Sequence, residues 1–287
     1  MKIAIYGSRR QDAHLDMLAE FLASLARDGH EAVMHPKLYR YLLHLIPGAL
    51  APVRRVLDDA SGCGADLALS IGGDGTFLRT AQWIAGADTP IAGVNTGHLG
   101  YLTAVGIDGL QTLLPAFAAG RLHTSPRSLI QVVSPELDIY PYALNEVAVL
   151  KGDTAAMITV GATLDGSPLA DYRVDGLLVS TPTGSTAYNL SVGGPIVQPS
   201  APVWVISPVA AHSLSMRPIV VNDSSTLTLV PGGRTSHVRL SIDGRTAVVD
   251  AGTPLTLRRA PFEVKVLLLP GRDFATALRD KLHWGED

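Results

Sequence analysis

Residues Leu69 to Thr76 read LSIGGDGT. An apolar run from Asp66 to Ile71 has the length of a strand and stops at Gly72-Gly73-Asp74-Gly75. Thr76 to Ile84 then continues with helical spacing. Strand, glycine turn and helix together form the unit from which parallel sheets are built, and ligands bind at the carboxyl ends of such strands. The three glycines let the backbone come close to a ligand. The amides at the start of the helix favour a phosphate. The turn is not a Walker A loop, because it lacks the spacing and the Lys-Ser/Thr pair. Nor is it the G-x-G-x-x-G dinucleotide fingerprint.

Asp74 sets this turn apart, because a carboxylate beside a phosphate is repulsive and needs a compensating role. It can hold a metal that bridges phosphates, or take the proton of a hydroxyl attacking phosphorus, a function worth about 10²- to 10⁴-fold in rate. An ordinary Asp-Gly turn is the plain alternative.

Toward the N-terminus the same alternation recurs. Lys2 to Tyr6 reads as a strand ending at Gly7. From Asp12 to Asp28, residues Leu15, Leu18, Ala19, Leu22, Leu25 and Ala26 fall at helical spacing before a stop at Gly29. Glu31 to His35 reads as a second strand, Val53 to Ala60 as a helix, and Pro90 to Val94 as a strand. The pattern predicts an α/β domain with a parallel sheet over residues 1–105.

Beyond position 105 a short helix is expected near Gly109 to Ala119, and then β-branched and alternating runs take over. They are Leu129 to Val133, Glu146 to Leu150, Ala156 to Leu164, Gly176 to Ser180, Val203 to Ile206, Ser225 to Val230, Val238 to Ile242 and Thr246 to Val249. Asp165-Gly166 and Asp243-Gly244 are two-residue hairpin signals. Residues 106–262 therefore read as an all-β, sandwich-like domain in two layers. Helical spacing returns at Asp273 to Leu282, so residues 263–287 are expected to pack back on the first domain.

Composition limits the function classes. A net charge of −3 supplies no basic field for nucleic acid or an anionic membrane. No apolar stretch reaches membrane-spanning length, and the opening MKIAIYGS is too short for a signal segment. The single Cys63 cannot close an intramolecular disulfide, and nothing resembles a Cys/His metal cluster. A cytoplasmic setting is expected.

Four further segments accompany GGDGT, a signature shared by NAD kinases, by lipid kinases acting on diacylglycerol and sphingosine, and by phosphofructokinases. Asn145-Glu146 is one. The second runs from Asp175-Gly176-Leu177 through Thr181-Pro182-Thr183-Gly184-Ser185-Thr186-Ala187-Tyr188. The third is Pro208 to Pro218, with His212-Ser213-Leu214-Ser215 and Arg217-Pro218, and the last is Lys281-Leu282 with Trp284-Gly285. In this order and spacing the chain resembles the NAD kinase family, of bacterial type, over nearly its whole length.

The resemblance implies an α/β domain, a β-sandwich-like domain and an NAD site between them, in homodimers or homotetramers. It implies transfer of the terminal phosphoryl group of ATP to the 2′-hydroxyl of the adenosine ribose of NAD, with a divalent metal, Mg, carried on ATP. Asp74 corresponds to the proton acceptor, and Gly75 lies against the nucleotide. Asn145 and Glu146 engage NAD, and Asp175 contacts the nicotinamide side or its ribose. Thr186, Ala187, Tyr188, Asn189, Leu190 and Ser191 line the adenosine pocket, with Tyr188 near a base, and Thr183 is a further NAD-binding residue. Arg173, Ala210 and Arg245 fall at further ligand-contact positions. Arg245 stands where many members have Gln, and the turn Tyr6 to Arg10 differs from their Asn-bearing turn.

The plain readings are an ion pair between Arg173 and Asp175, a solvated Arg9-Arg10, and structural roles for His98 and His212. A lipid kinase, or an NAD-binding regulator without activity, are the competing functions.

Overall fold

The computed structural model describes residues 1–8, 11–97, 100–103, 105–135, 137–152, 156–271 and 273–285. Arg9, Arg10 and His98 lie outside the described residues. The chain forms two units, Met1–Pro126 with Val264–Asp287, and Arg127–Glu263.

The first unit is built on a mostly parallel sheet. Its strands run in the order Val53–Val56, Glu31–Met34, Lys2–Gly7, Leu67–Ile71, Ile91–Asn95, Val264–Leu268 and His123–Arg127, and Val105–Gly106 also pairs with Ile91–Asn95. The two strands Leu67–Ile71 and Ile91–Asn95 are buried along their whole length. A parallel sheet covered on both faces produces this, and it explains why they read as unbroken apolar runs. The helix Leu15–Arg27 turns Leu18, Phe21, Leu22 and Leu25 into the core beneath.

Several elements differ from the sequence reading. Val53–Val56 is a strand, not a helix: it pairs in parallel with Glu31–Met34 at the sheet edge, with Arg54 and Arg55 exposed. The helical spacing of Val53, Val56 and Ala60 gives way to an available pairing edge. The neighbouring helix is Pro36–Leu45, to which the sequence reading gave no element; it opens on Pro36, and His35 accepts the Lys37 amide. The unit also runs to Pro126, past position 105. The helix Leu110–Ala118 sends Leu110, Leu113 and Leu114 into the same core. The returning C-terminal segment first adds a strand, with Val266 opposite Ile91, before the helix Phe274–Leu282.

The second unit is a sandwich of two antiparallel sheets. One runs Ile219–Asn222, Val203–Val209, Gly176–Ser180, Glu146–Leu150, His237–Ile242 and Arg245–Asp250. The other runs Ser167–Val174, Ile158–Leu164, Leu227–Gly233, Leu255–Arg259, Ile130–Val133 and Tyr142–Ala143. Val147, Leu177, Trp204 and Leu240 from the first sheet share one core with Val160, Leu229 and Leu257 from the second. Both expected hairpins form, pairing Leu164 with Ser167 and Ile242 with Arg245. Asp165 and Gly166, like Asp243 and Gly244, take the left-handed backbone that such two-residue turns require. Among the described residues no helix is long and apolar enough to cross a membrane.

Candidate active site

In the first unit, the glycine turn ends the buried strand Leu67–Ile71 and starts the helix Asp74–Trp83. Gly72 has φ +149, and a side chain there would collide with Thr76. Its amide donates to the Val94 carbonyl at 2.8 Å, which ties the turn to the next strand. The amides of Thr76 and Phe77 both turn back to the Gly73 carbonyl. The helix therefore begins immediately at Asp74, and its first-turn amides lie at the glycine turn, where they favour an anion.

The Asp74 carboxylate is held from the segment 100–103. Oδ2 accepts the Tyr101 amide at 2.7 Å, and Oδ1 accepts the Leu102 amide and the Thr103 hydroxyl, each at 3.1 Å. Gly100 is required by this approach, because a Cβ there would fall on Oδ1 of Asp74. Gly93 is required for the same reason one layer down, where a Cβ would fall on the Leu102 carbonyl.

In the second unit, Asn145 and Glu146 stand where the strand Glu146–Leu150 begins. The Asp243 carboxylate gathers three consecutive amides there: Leu144 at 2.7 Å, Asn145 at 2.8 Å and Glu146 at 3.1 Å. The Asn145 carbonyl accepts the Thr181 amide, and a side chain at Gly184 would fall on that carbonyl. The Asn145-Glu146 corner is therefore fixed from two sides.

Burial pushes the Glu146 carboxyl up to about 7, aided by the nearby Asp243 and opposed by the Tyr188 amide. Its Oε2 is buried with no hydrogen-bond partner among the described residues. A buried oxygen left open in this way suits a ligand hydroxyl. Burial also raises the Asp243 carboxyl, against the pull of its three amides and Arg245.

The hydroxyl-rich segment divides into braces and exposed groups. Thr181 and Ser185 are fully buried: Thr181 Oγ1 donates to the Leu144 carbonyl at 2.6 Å, and Ser185 Oγ to Pro182 at 2.7 Å. Asn189, expected in the adenosine pocket, is fully buried too. Its Nδ2 donates to the carbonyls of Ser185 and Pro195, and its Oδ1 accepts the Ser207 hydroxyl. That side chain is spent inside the fold. Thr183 is also buried, Thr186, Ala187 and Leu190 are half-buried, and Tyr188 and Ser191 are exposed.

Asp175 does not pair with Arg173. Its Oδ1 lies 2.9 Å from Lys151 Nζ, and its amide donates to the Val209 carbonyl. The exposed Ala210 next to that carbonyl has φ +48, a strained backbone for a residue with a Cβ. Arg173 is exposed, and its carbonyl accepts the His212 amide. Arg245 Nη2 lies 4.0 Å from Asp243 Oδ2 and donates to the Tyr142 carbonyl at 2.9 Å, and the guanidinium sits 5.0 Å from the Tyr140 ring centre. Among the described residues no group of three His, Cys, Asp or Glu side chains is arranged to hold a metal ion.

The sequence reading missed the roles of Asp243, Thr103 and Lys151. In the sequence Asp243 reads only as half of a hairpin turn. Its partners lie far back in the chain, and no local pattern announces them.

A model of the ATP-NAD kinase N-terminal domain matches residues 16–122, and a model of the ATP-NAD kinase C-terminal domain matches residues 144–269. The NAD kinase of Bacteroides fragilis is 37% identical over 289 residues, covering 100% of this chain and 99% of its own. That of Porphyromonas gingivalis is 38% identical over 287 residues, covering 99% and 98%. The chain belongs to the NAD kinase family. Two solved structures carry the same fold. An NAD kinase from Archaeoglobus fulgidus in complex with ATP has a TM-score of 0.72 at 26% identity, covering 92% of each chain. Yeast NADH kinase complexed with NADH has a TM-score of 0.88 and covers 100% of this chain and 89% of its own; at 21% identity that likeness speaks for the fold alone. Membership of the NAD kinase family accounts for the glycine turn and the Asn-Glu corner occurring in one chain.

Proposed function

We propose that this protein transfers the terminal phosphoryl group of ATP to the 2′-hydroxyl of the adenosine ribose of NAD, giving NADP. The sequence relatives named NAD kinase, and the related structure holding ATP, support this choice of substrates. The observation that carries the chemistry is the placement of Asp74. Its carboxylate is fixed by three donors at the start of a helix, beside amides suited to phosphate.

In this reaction the 2′-oxygen attacks the terminal phosphorus, the bond to the ADP oxygen breaks, and the hydroxyl proton passes to Asp74. Positioning and charge neutralisation supply most of the rate in such transfers. Mg would arrive on ATP as part of the substrate and would offset the charge of its phosphates, since no cluster of acidic, His or Cys side chains among the described residues is arranged to hold it. Glu146, through its open Oε2, and Asn145 fix a ribose of NAD. Tyr188 offers its exposed ring to a base, Asp175 takes the nicotinamide side, and Gly75 lies against the nucleotide. Thr183, Thr186, Ala187, Leu190 and Ser191 shape the adenosine pocket, with Arg173 and Ala210 at its margin. Asn189 and Arg245 act from behind, through the contacts their side chains already make. The protein works in the cytoplasm as a homodimer or homotetramer.

The test is a matrix of donors and acceptors, ATP or polyphosphate against NAD or NADH, read by formation of NADP(H). Product with ATP and NAD is expected, and its absence overturns the activity. Asp74→Asn is expected to lower kcat by about 10²- to 10⁴-fold with NAD binding retained. Near-parental turnover in that variant removes Asp74 from the role of base.

A further inference from the structure

We propose that Thr103 is a positioning residue for Asp74, and that it selects which carboxylate oxygen takes the proton. The inference rests on the reading of Asp74 as the base. Thr103 is completely buried. Its hydroxyl oxygen accepts two hydrogen bonds, from Asn95 Nδ2 and from the Gly100 amide, each at 3.1 Å. A hydroxyl has two acceptor sites and one proton. With both acceptor sites filled, the proton has one direction left, toward Asp74 Oδ1 at 3.1 Å.

Asn95 is itself held, since its Oδ1 accepts the Gly97 amide at 2.6 Å, which fixes its amide group with Nδ2 toward Thr103. One side-chain and one main-chain donor therefore orient the hydroxyl, and that hydroxyl orients the carboxylate.

The consequence is an asymmetry between the two oxygens of Asp74. Oδ1 accepts from both Leu102 and Thr103, so both of its usual acceptor sites are occupied. Oδ2 accepts only the Tyr101 amide among these donors and keeps one site open. The sugar hydroxyl donates to Oδ2. Thr103 touches neither substrate nor the reacting atoms; it acts by holding the carboxylate plane and by occupying the oxygen that must not compete.

The experiment compares Thr103→Val and Thr103→Ser in the full-length enzyme, with kcat and KM for NAD measured separately. Loss of the hydroxyl is expected to lower kcat about 10- to 100-fold with KM for NAD within about threefold, the pattern of a misplaced reacting group. Thr103→Ser keeps the hydroxyl and is expected to stay close to the parent. If Thr103→Val does not fold, Thr103→Ala removes the same hydroxyl without a second branch and carries the comparison.

The same substitution is then placed in Asp74→Asn. If Thr103 acts through the carboxylate, residual turnover falls no further. Parental kcat in Thr103→Val overturns the proposal. So does an equal loss in Thr103→Ser, or an equal loss in the Asp74→Asn background, each of which assigns the effect to the fold. Failure of the base reading shows separately, as undiminished turnover in Asp74→Asn alone.

Discussion

Asp243 and Glu146 are joined twice: the Glu146 amide donates to Asp243 Oδ1 at 3.1 Å, and the Asp243 amide donates to the Glu146 carbonyl at 3.1 Å. Through this exchange one carboxylate both holds the backbone of its neighbour and lies close enough to raise that neighbour's carboxyl. Backbone support and electrostatic tuning come from a single side chain.

Stability should respond to Glu146 with a defined sign. Its carboxyl titrates at about 7 in the folded protein against 4.5 as the ordinary value, so the folded state holds the proton more tightly. The associated stability is full below about 4.5 and is lost as pH rises through about 7. Glu146→Gln should therefore flatten the dependence of Tm on pH between 5 and 8 and stabilise the protein at pH 8, by up to about 3 kcal/mol. Thermal melts across that range check it; an unchanged slope refutes it.

NAD affinity should follow the same group. The carboxylate form is the better acceptor for ribose hydroxyls, so the Kd for NAD should fall as pH rises from 6 to 8, with a midpoint near 7. Asp243→Asn removes the like charge beside Glu146 and should move that midpoint to lower pH. Asp243→Ala goes further and orphans three amides, costing about 2–4 kcal/mol of stability. Calorimetric titration with NAD at several pH values, together with chemical denaturation, separates the two effects.

Gly100→Ala should disable the enzyme without dissolving it. The added methyl falls on Asp74 Oδ1 and close to the Thr103 hydroxyl, so the carboxylate must swing away. A displacement of about 1 Å in a reacting group costs roughly 10²-fold in rate. We expect kcat to fall by that order while the Kd for NAD stays within a few-fold, measured by steady-state kinetics and calorimetry.

Asn189→Ala should behave as a stability variant. Its buried side chain makes three hydrogen bonds, and truncation leaves two carbonyls and the Ser207 hydroxyl without it. A loss of about 2–4 kcal/mol is expected. Residual activity at low temperature should exceed that of Glu146→Ala, because the Asn189 side chain is committed to the Ser185 and Pro195 carbonyls and the Ser207 hydroxyl, whereas Glu146 Oε2 has no partner among the described residues. Denaturant midpoints and turnover at 10 °C distinguish the two.

Features set by a few adjacent residues were legible in the sequence. The glycine turn at Gly72-Gly73-Asp74-Gly75 announces a strand end and a helix start, and Asp243-Gly244 announces a hairpin, because turn chemistry depends on neighbours in the chain. Val53–Val56 escaped because helix and strand compete closely there, and pairing with Glu31–Met34 decides the outcome. The buried hydrogen bonds of Asn189 were not legible, because a polar residue in a polar run reads alike whether it faces a ligand or a Ser207 hydroxyl.

The order of residues alone determined an α/β unit followed by a β-sandwich, the acidic group on the glycine turn, and the Asn-Glu corner. Periodicity and turn propensity are properties of short segments. Folding in three dimensions decided what surrounds those groups: Thr103 and Gly100 against Asp74, Asp243 beneath Asn145 and Glu146, Lys151 against Asp175. Hydrogen bonds and burial act between atoms brought together from distant positions, and they set both the aim of a carboxylate and its hold on a proton.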